Sequence, residues 1–199
     1  MKKSQIQKLA VSGVLAAIVA ILSFIPLRTM GLEITFSMVP IAVGAIVFGP
    51  AVGSFLGGVF GAVSFIQCIW GYSAFGAALF AINPYLTFIV CVPTRILAGW
   101  LTALIFKGLY RVDKTNQISY AVSSLAAAVL NTALFMGALV LCFYNCDFIQ
   151  GFVSTLGAAN PLMFIILFVG INGLVELICG FVIAYPASKA VSIATKRLA

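Results

Sequence analysis

The chain has 199 residues, of which 63% are hydrophobic and 8% charged, with a net charge of +7 and no histidine. An ordinary soluble domain holds about 45–50% apolar and about 25% charged residues. Eleven basic and four acidic side chains cannot clothe a water-facing surface of this length, so a soluble globular fold is excluded and most of the surface must meet lipid.

Uncharged runs cover 9–27, 34–94, 115–146 and 148–175. A spanning helix needs about 20 mostly apolar residues. The first span is predicted at about 9–25. It follows Met1-Lys2-Lys3 and is read as retained, because its apolar run is long for a signal peptide and no A-x-A site closes it. Residues 26–35, with Arg28 and Glu33, form a short loop or cap. The second span, about 36–48, is short, contains Pro40, and stops at the Gly49-Pro50 turn. The third runs about 51–68. Residues 69–82, with Trp70, Gly71, Tyr72 and Gly76, read as an ordered interfacial loop that closes over a site, the two glycines serving as hinges. Asn83-Pro84 opens a fourth span, about 84–106. A fifth covers about 118–143, and Asn160-Pro161 opens a sixth, about 160–186. Asn145 to Gly157 is the last external loop. The expectation is one all-α transmembrane domain over 1–199: a compact six-helix bundle with both termini cytoplasmic.

Charge placement supports that orientation. Lys2, Lys3, Lys8, Lys107, Arg111, Lys114, Lys189, Lys196 and Arg197 fall on the side of the termini, and Arg28 alone lies in a loop on the other. Positive charge collects on the cytoplasmic side of membrane proteins. The net charge then reflects orientation and contact with anionic lipid, and leaves no spare basic surface for nucleic acid.

Small residues mark close helix contacts. Gly53, Gly57 and Gly61 form a stripe four residues apart, which lets two backbones approach. Ser12, Ala16 and Ala20, and in a second register Gly13 and Ala17, give the first span a face suited to tight packing, within this chain or against a partner.

Two ionisable residues fall within spans. Arg95 and Glu176 lie in the middle third of the membrane, where a charge costs at least about 2.5–3.5 kcal/mol and needs a partner. Either they pair with each other and lock the bundle, or Arg95 holds an anionic ligand group through its planar fork. Snorkelling of Arg95 toward a headgroup is a third reading. Asn131 and Thr132 in the fifth span, Asn172 in the sixth, Thr94, Ser64 and Gln67, with Trp70 and Tyr72 as aromatic walls, compose a candidate site in the outer half. Each of them alone is more often a helix–helix hydrogen bond than a ligand contact.

Catalytic chemistry is poorly supplied. Glu33, Asp113, Asp147 and Glu176 sit at different depths and form no acid/base pair, and no G-x4-G-K-[ST] phosphate loop occurs. No enzyme and no metal site is expected. The five cysteines form no CxxC pair; a disulfide among Cys68, Cys142 and Cys146 is the alternative to small apolar packing residues.

The run Val39-Pro40-Ile41-Ala42-Val43-Gly44-Ala45-Ile46-Val47-Phe48-Gly49-Pro50, then Val52-Gly53-x3-Gly57-x3-Gly61, resembles the second and third helices of substrate-binding S components of energy-coupling factor (ECF) vitamin transporters. Gly61-Ala62-Val63-Ser64-Phe65-Ile66-Gln67, Val92-Pro93-Thr94-Arg95-Ile96-Leu97-Ala98-Gly99 and Asn131-Thr132 look closest to the pantothenate type. Gln67-Cys68-Ile69-Trp70 departs from it, where that type tends to be Asn-rich, so folate, riboflavin or cobalamin specificity stays open. The resemblance implies high-affinity binding of a water-soluble vitamin from outside. It implies no cofactor on this chain, with ATP used by partners: a transmembrane scaffold protein and two ABC ATPase subunits. It implies docking through Ser12, Gly13, Ala16, Ala17 and Ala20, toppling in the membrane as the transport step, and a prokaryotic plasma-membrane location. Two other classes compete: a stand-alone small-solute carrier, against which no internal repeat is seen, and a ligand-free structural membrane protein.

Overall fold

In a computed structural model the chain is described over residues 3–25, 27–29, 32–34, 36–113 and 117–198. Lys2 and Lys114 lie outside these residues, as do the side chains of Lys3, Arg28, Glu33, Asn172, Cys179, Lys196 and Arg197.

Helix α1 (Lys3–Ser23) leads into a two-stranded hairpin, β1 (Leu27–Thr29) and β2 (Leu32–Ile34), with Arg28 opposite Glu33 in antiparallel register. The loop expected at 26–35 is therefore partly a β-ribbon. Helix α2 (Met38–Phe48) has 11 residues, about 16 Å at 1.5 Å per residue, and is too short to span alone. It is buried almost throughout. Gly49, at φ +88°, makes the corner that only glycine adopts readily, and Pro50 then opens α3 (Pro50–Ile69).

The stretch expected as a loop at 69–82 contains a helix, α4 (Ala74–Ile82). Ser73 caps it, its side chain accepting from Gly76 N at 3.3 Å. Asn83 caps α5 (Pro84–Tyr110), accepting from the backbone N–H groups of Tyr85 and Leu86, both at 3.1 Å. Helix α6 covers Ile118–Phe143. The expected outer loop at 145–157 is likewise helical, as α7 (Asp147–Leu156). Asn160 caps α8 (Pro161–Cys179), accepting from Met163 N at 2.8 Å.

The expected sixth span, about 160–186, is not one straight helix. Gly170 breaks α8 at φ 39°, ψ −126°, and a π-helical turn (Gly180–Ala184) joins α8 to α9 (Tyr185–Leu198). Among the described residues five helical stretches are long and apolar enough to cross a membrane: Gln5–Ser23, Pro50–Ile69, Pro84–Tyr110, Ile118–Phe143 and Gly173–Thr195. A sixth arises if α7 and the first part of α8, bent by 74°, count as one. The architecture is that of a multi-pass membrane protein.

The glycine stripe governs the tightest packing. A methyl group on Gly53 would meet the Gly99 carbonyl, one on Gly57 the Arg95 carbonyl, and one on Gly61 the backbone of Cys91 and Val92. Helices α3 and α5 therefore run antiparallel with their backbones in contact over two turns. Two apolar clusters flank this seam. One gathers Leu15, Val19, Ile41, Leu56 and Phe60 from the first three helices with Ala127 and Ala184. The other gathers Phe75, Leu79, Val90, Met136, Phe143, Ile149, Phe164 and Phe168. Phe75 makes ring contacts with Phe148, Phe152 and Phe168, which tie α4 to α7 and α8.

Candidate functional site

A partly open cavity lies where the two clusters meet. Its walls come from Phe60, Ser64, Gln67 and Cys68 on α3, Thr87, Cys91 and Arg95 on α5, Asn131, Thr132, Phe135 and Met136 on α6, and Val169, Gly173 and Glu176 on α8. Ser73, Phe75, Gly76 and Leu79 close it from the α4 side.

Arg95 is held by local features of α5. Pro93 lacks the N–H that would continue the helix ladder. Around it Thr94 Oγ1 donates to the Val90 carbonyl at 2.6 Å, and Arg95 Nη1 donates to the carbonyls of Cys91 at 2.9 Å and Val90 at 3.4 Å. The guanidinium carbon lies 4.6 Å from the centroid of the Phe60 ring and 4.9 Å from that of Phe135. Such rings stabilise a desolvated cation. Arg95 is only 8% exposed, yet its Nε–H finds no acceptor. Asn131, also 8% exposed, leaves Oδ1 without a donor. Buried polar groups are nearly always satisfied, so an orphan donor on α5 and an orphan acceptor on α6, both lining one cavity, mark places for ligand atoms or water.

Arg95 and Glu176 face this same cavity, but the contacts of Arg95 run to backbone carbonyls and rings, and Glu176 Oε2 accepts from the Thr132 hydroxyl at 3.3 Å. Among the contacts given above for the described residues, none joins Arg95 directly to Glu176.

A model of ECF transporter substrate-specific components matches residues 7–188. The chain belongs to that family. It is thus a membrane-embedded substrate-binding S component for small-molecule uptake, a transport protein and not a catalyst. Family membership implies association with a transmembrane scaffold and ATPase subunits. No curated protein sequence matches the chain.

In this S component the residues expected to bind ligand divide into two groups. Arg95, Asn131, Gln67 and Ser64 line the cavity. Gln67 is also a tie between helices, donating from Nε2 to the Ser23 carbonyl at 2.8 Å. Trp70, Tyr72 and Thr94 do not line it. Trp70 is 72% exposed. The Tyr72 hydroxyl donates to the Phe24 carbonyl at 2.9 Å, and its ring meets Phe24 edge-on. Thr94 is turned into its own helix. The Asn172 side chain lies outside the described residues. Sequence reasoning left out Phe60, Phe135 and Met136, because an apolar side chain facing a cavity carries the same signal as one facing lipid.

Helix α1 sorts the two small-residue registers. Ser12 is buried and Ala16 packs on the inner cluster, Ala20 is half-buried, and Gly13 and Ala17 face outward. Nothing stands within 4 Å of a methyl group placed on Gly13. Cys68, Cys91, Cys142 and Cys146 are all thiols, so the disulfide considered among Cys68, Cys142 and Cys146 is not formed. Gly76, expected as a hinge, is packed instead, since a methyl group there would overlap the Cys68 sulfur.

Proposed function

We propose that this S component binds a carboxylate-bearing, water-soluble vitamin of the pantothenate type, with Arg95 taking the carboxylate. The reading is carried by the buried guanidinium, which keeps one N–H unspent on the wall of a partly open cavity lined by polar and aromatic side chains. A carboxylate there supplies a charge-assisted acceptor and neutralises a cation that lies deep in the membrane. Asn131, Ser64 and Gln67 contribute polar contacts, and Phe60 and Phe135 give apolar cover.

Uptake is driven by a separate ABC-type ATPase module reached through the scaffold protein, with both termini on the cytoplasmic side of a prokaryotic plasma membrane. The basic residues near the termini and in the 107–114 segment support this orientation. The outward face of α1 at Gly13 and Ala17 is the reading for the docking surface. Its small side chains let a partner helix approach closely.

The test is a titration of the purified protein against a panel of vitamins, repeated for Arg95→Ala. Pantothenate binding is expected to weaken by two or more orders of magnitude, about 3 kcal/mol or more, with the amount of protein in the membrane unchanged. Loss of folded protein instead would make Arg95 a packing element. Tight binding of a vitamin without a carboxylate would move the reading to another member of the vitamin group.

A further inference from the structure

Opposite charges face one cavity, yet the hydrogen bonds of Arg95 given above run to Val90 and Cys91 and not to Glu176. The α5 wall offers donors, namely the guanidinium and its unspent Nε–H. The α6 and α8 walls offer acceptors, the Asn131 Oδ1 that lacks a donor and the Glu176 carboxylate, whose two oxygens can accept several bonds, the one from Thr132 among them. A ligand that is only a carboxylate on an apolar tail answers the first wall and not the second. It leaves Asn131 Oδ1 orphaned and brings a second negative charge into the space shared with Glu176. A ligand with hydroxyl or amide N–H donors at its far end answers both. A site built to hydrogen-bond such groups rejects analogues that lack them, because its own buried polar atoms are then left unpaired.

We propose that Glu176, together with Asn131, determines specificity by accepting the hydrogen-bond donors at the end of the ligand remote from its carboxylate. This rests on the reading of the chain as a carboxylate-vitamin binder. It narrows the ligand class to small carboxylic acids with donor groups and excludes plain alkyl or aryl acids of equal size.

The experiment compares two probes on the full-length protein in lipid nanodiscs: pantothenate and its analogue lacking both hydroxyls on the same carbon skeleton. In the wild type, loss of the hydroxyls is expected to weaken binding at least tenfold. In Glu176→Gln the ratio between the probes is expected to shrink about tenfold, since a bond to an ionised acceptor is roughly twice as strong as one to a neutral acceptor. If Glu176 merely braced α8 against α6 through Thr132, the substitution would weaken both probes by one common factor, and that result overturns the proposal. Equal binding of the two probes by the wild type overturns it as well, and needs no variant to fold. Failure of the wild type to bind pantothenate at all is a separate outcome, which removes the vitamin reading and this inference with it.

Discussion

Where α3 meets α5 the two backbones touch, whereas the cavity-side contacts of α6 and α8 run through side chains. On the first wall Gly53, Gly57 and Gly61 abut Gly99, Arg95 and Cys91, one helical turn apart on each helix. No rotamer can relax such a contact, so the depth and angle of Arg95 are fixed by main chain. On the second wall the links are Thr132 to Glu176 and the packing of Met136 with Phe164 and Phe168, and Gly170 interrupts α8. The cation thus stands on the stiff wall and the acceptors on the adaptable one. On the proposed reading a binding protein gains from this division: the charge with the highest burial cost is held in place by main chain, and the side linked through side chains has room to adjust to a ligand.

The largest expected effect breaks the stiff wall. In Gly57→Ala the new methyl group overlaps the Arg95 carbonyl, a main-chain atom that cannot swing aside. Overpacking of this kind costs about 1–3 kcal/mol, a fall in Tm of roughly 5–10 °C for a domain of this size. Ligand affinity should fall as well, because Arg95 is displaced with its helix. A variant that melts and binds like the wild type would show that backbone contact does not set the wall.

A smaller effect separates binding from stability on the adaptable wall. Asn131→Ala removes an acceptor that has no partner among the described residues. Affinity for pantothenate is expected to drop about tenfold, the worth of one good hydrogen bond. The melting temperature should hold or rise slightly, since a buried unsatisfied group is deleted. A fall in Tm without loss of affinity would assign Asn131 to packing.

The legible parts of the molecule are those where sequence has one physical meaning. Asn83-Pro84 and Asn160-Pro161 open helices because a capping amide and a proline suit no other place so well. The glycine stripe announced a close contact but not its partner, since many small residues could have answered it. Arg95, Asn131, Ser64 and Gln67 line the cavity, and their polarity within apolar spans is legible because polar atoms in hydrocarbon need a reason. Trp70 and Tyr72 lie off that cavity, and the sequence does not tell this, because an aromatic at the interface looks the same whether it covers a ligand or meets a headgroup. Helices α4 and α7 were read as loops because each has ten residues or fewer and lies beside Gly and Ser. Short apolar stretches of that length carry no spanning signal, and their helicity comes from packing through Phe75, Phe148 and Phe152.

The smallest effect has the opposite sign to the first. Gly137 lies inside α6, and a methyl group there meets nothing within 4 Å. Helix interiors favour Ala over Gly by about 0.8–1.0 kcal/mol. Gly137→Ala should therefore raise Tm by roughly 2–4 °C and leave ligand affinity within about twofold. The same chemical change is then destabilising on α3 and stabilising on α6, and only the neighbouring backbone accounts for the difference. If Gly137→Ala lowered Tm instead, α6 would have to press against another helix at this turn, and the second wall would be as tightly built as the first. If it preserved Tm but weakened binding, the bound form would bring α6 closer to a neighbour than the ligand-free form does, and the adaptability assigned to this wall would be measured directly.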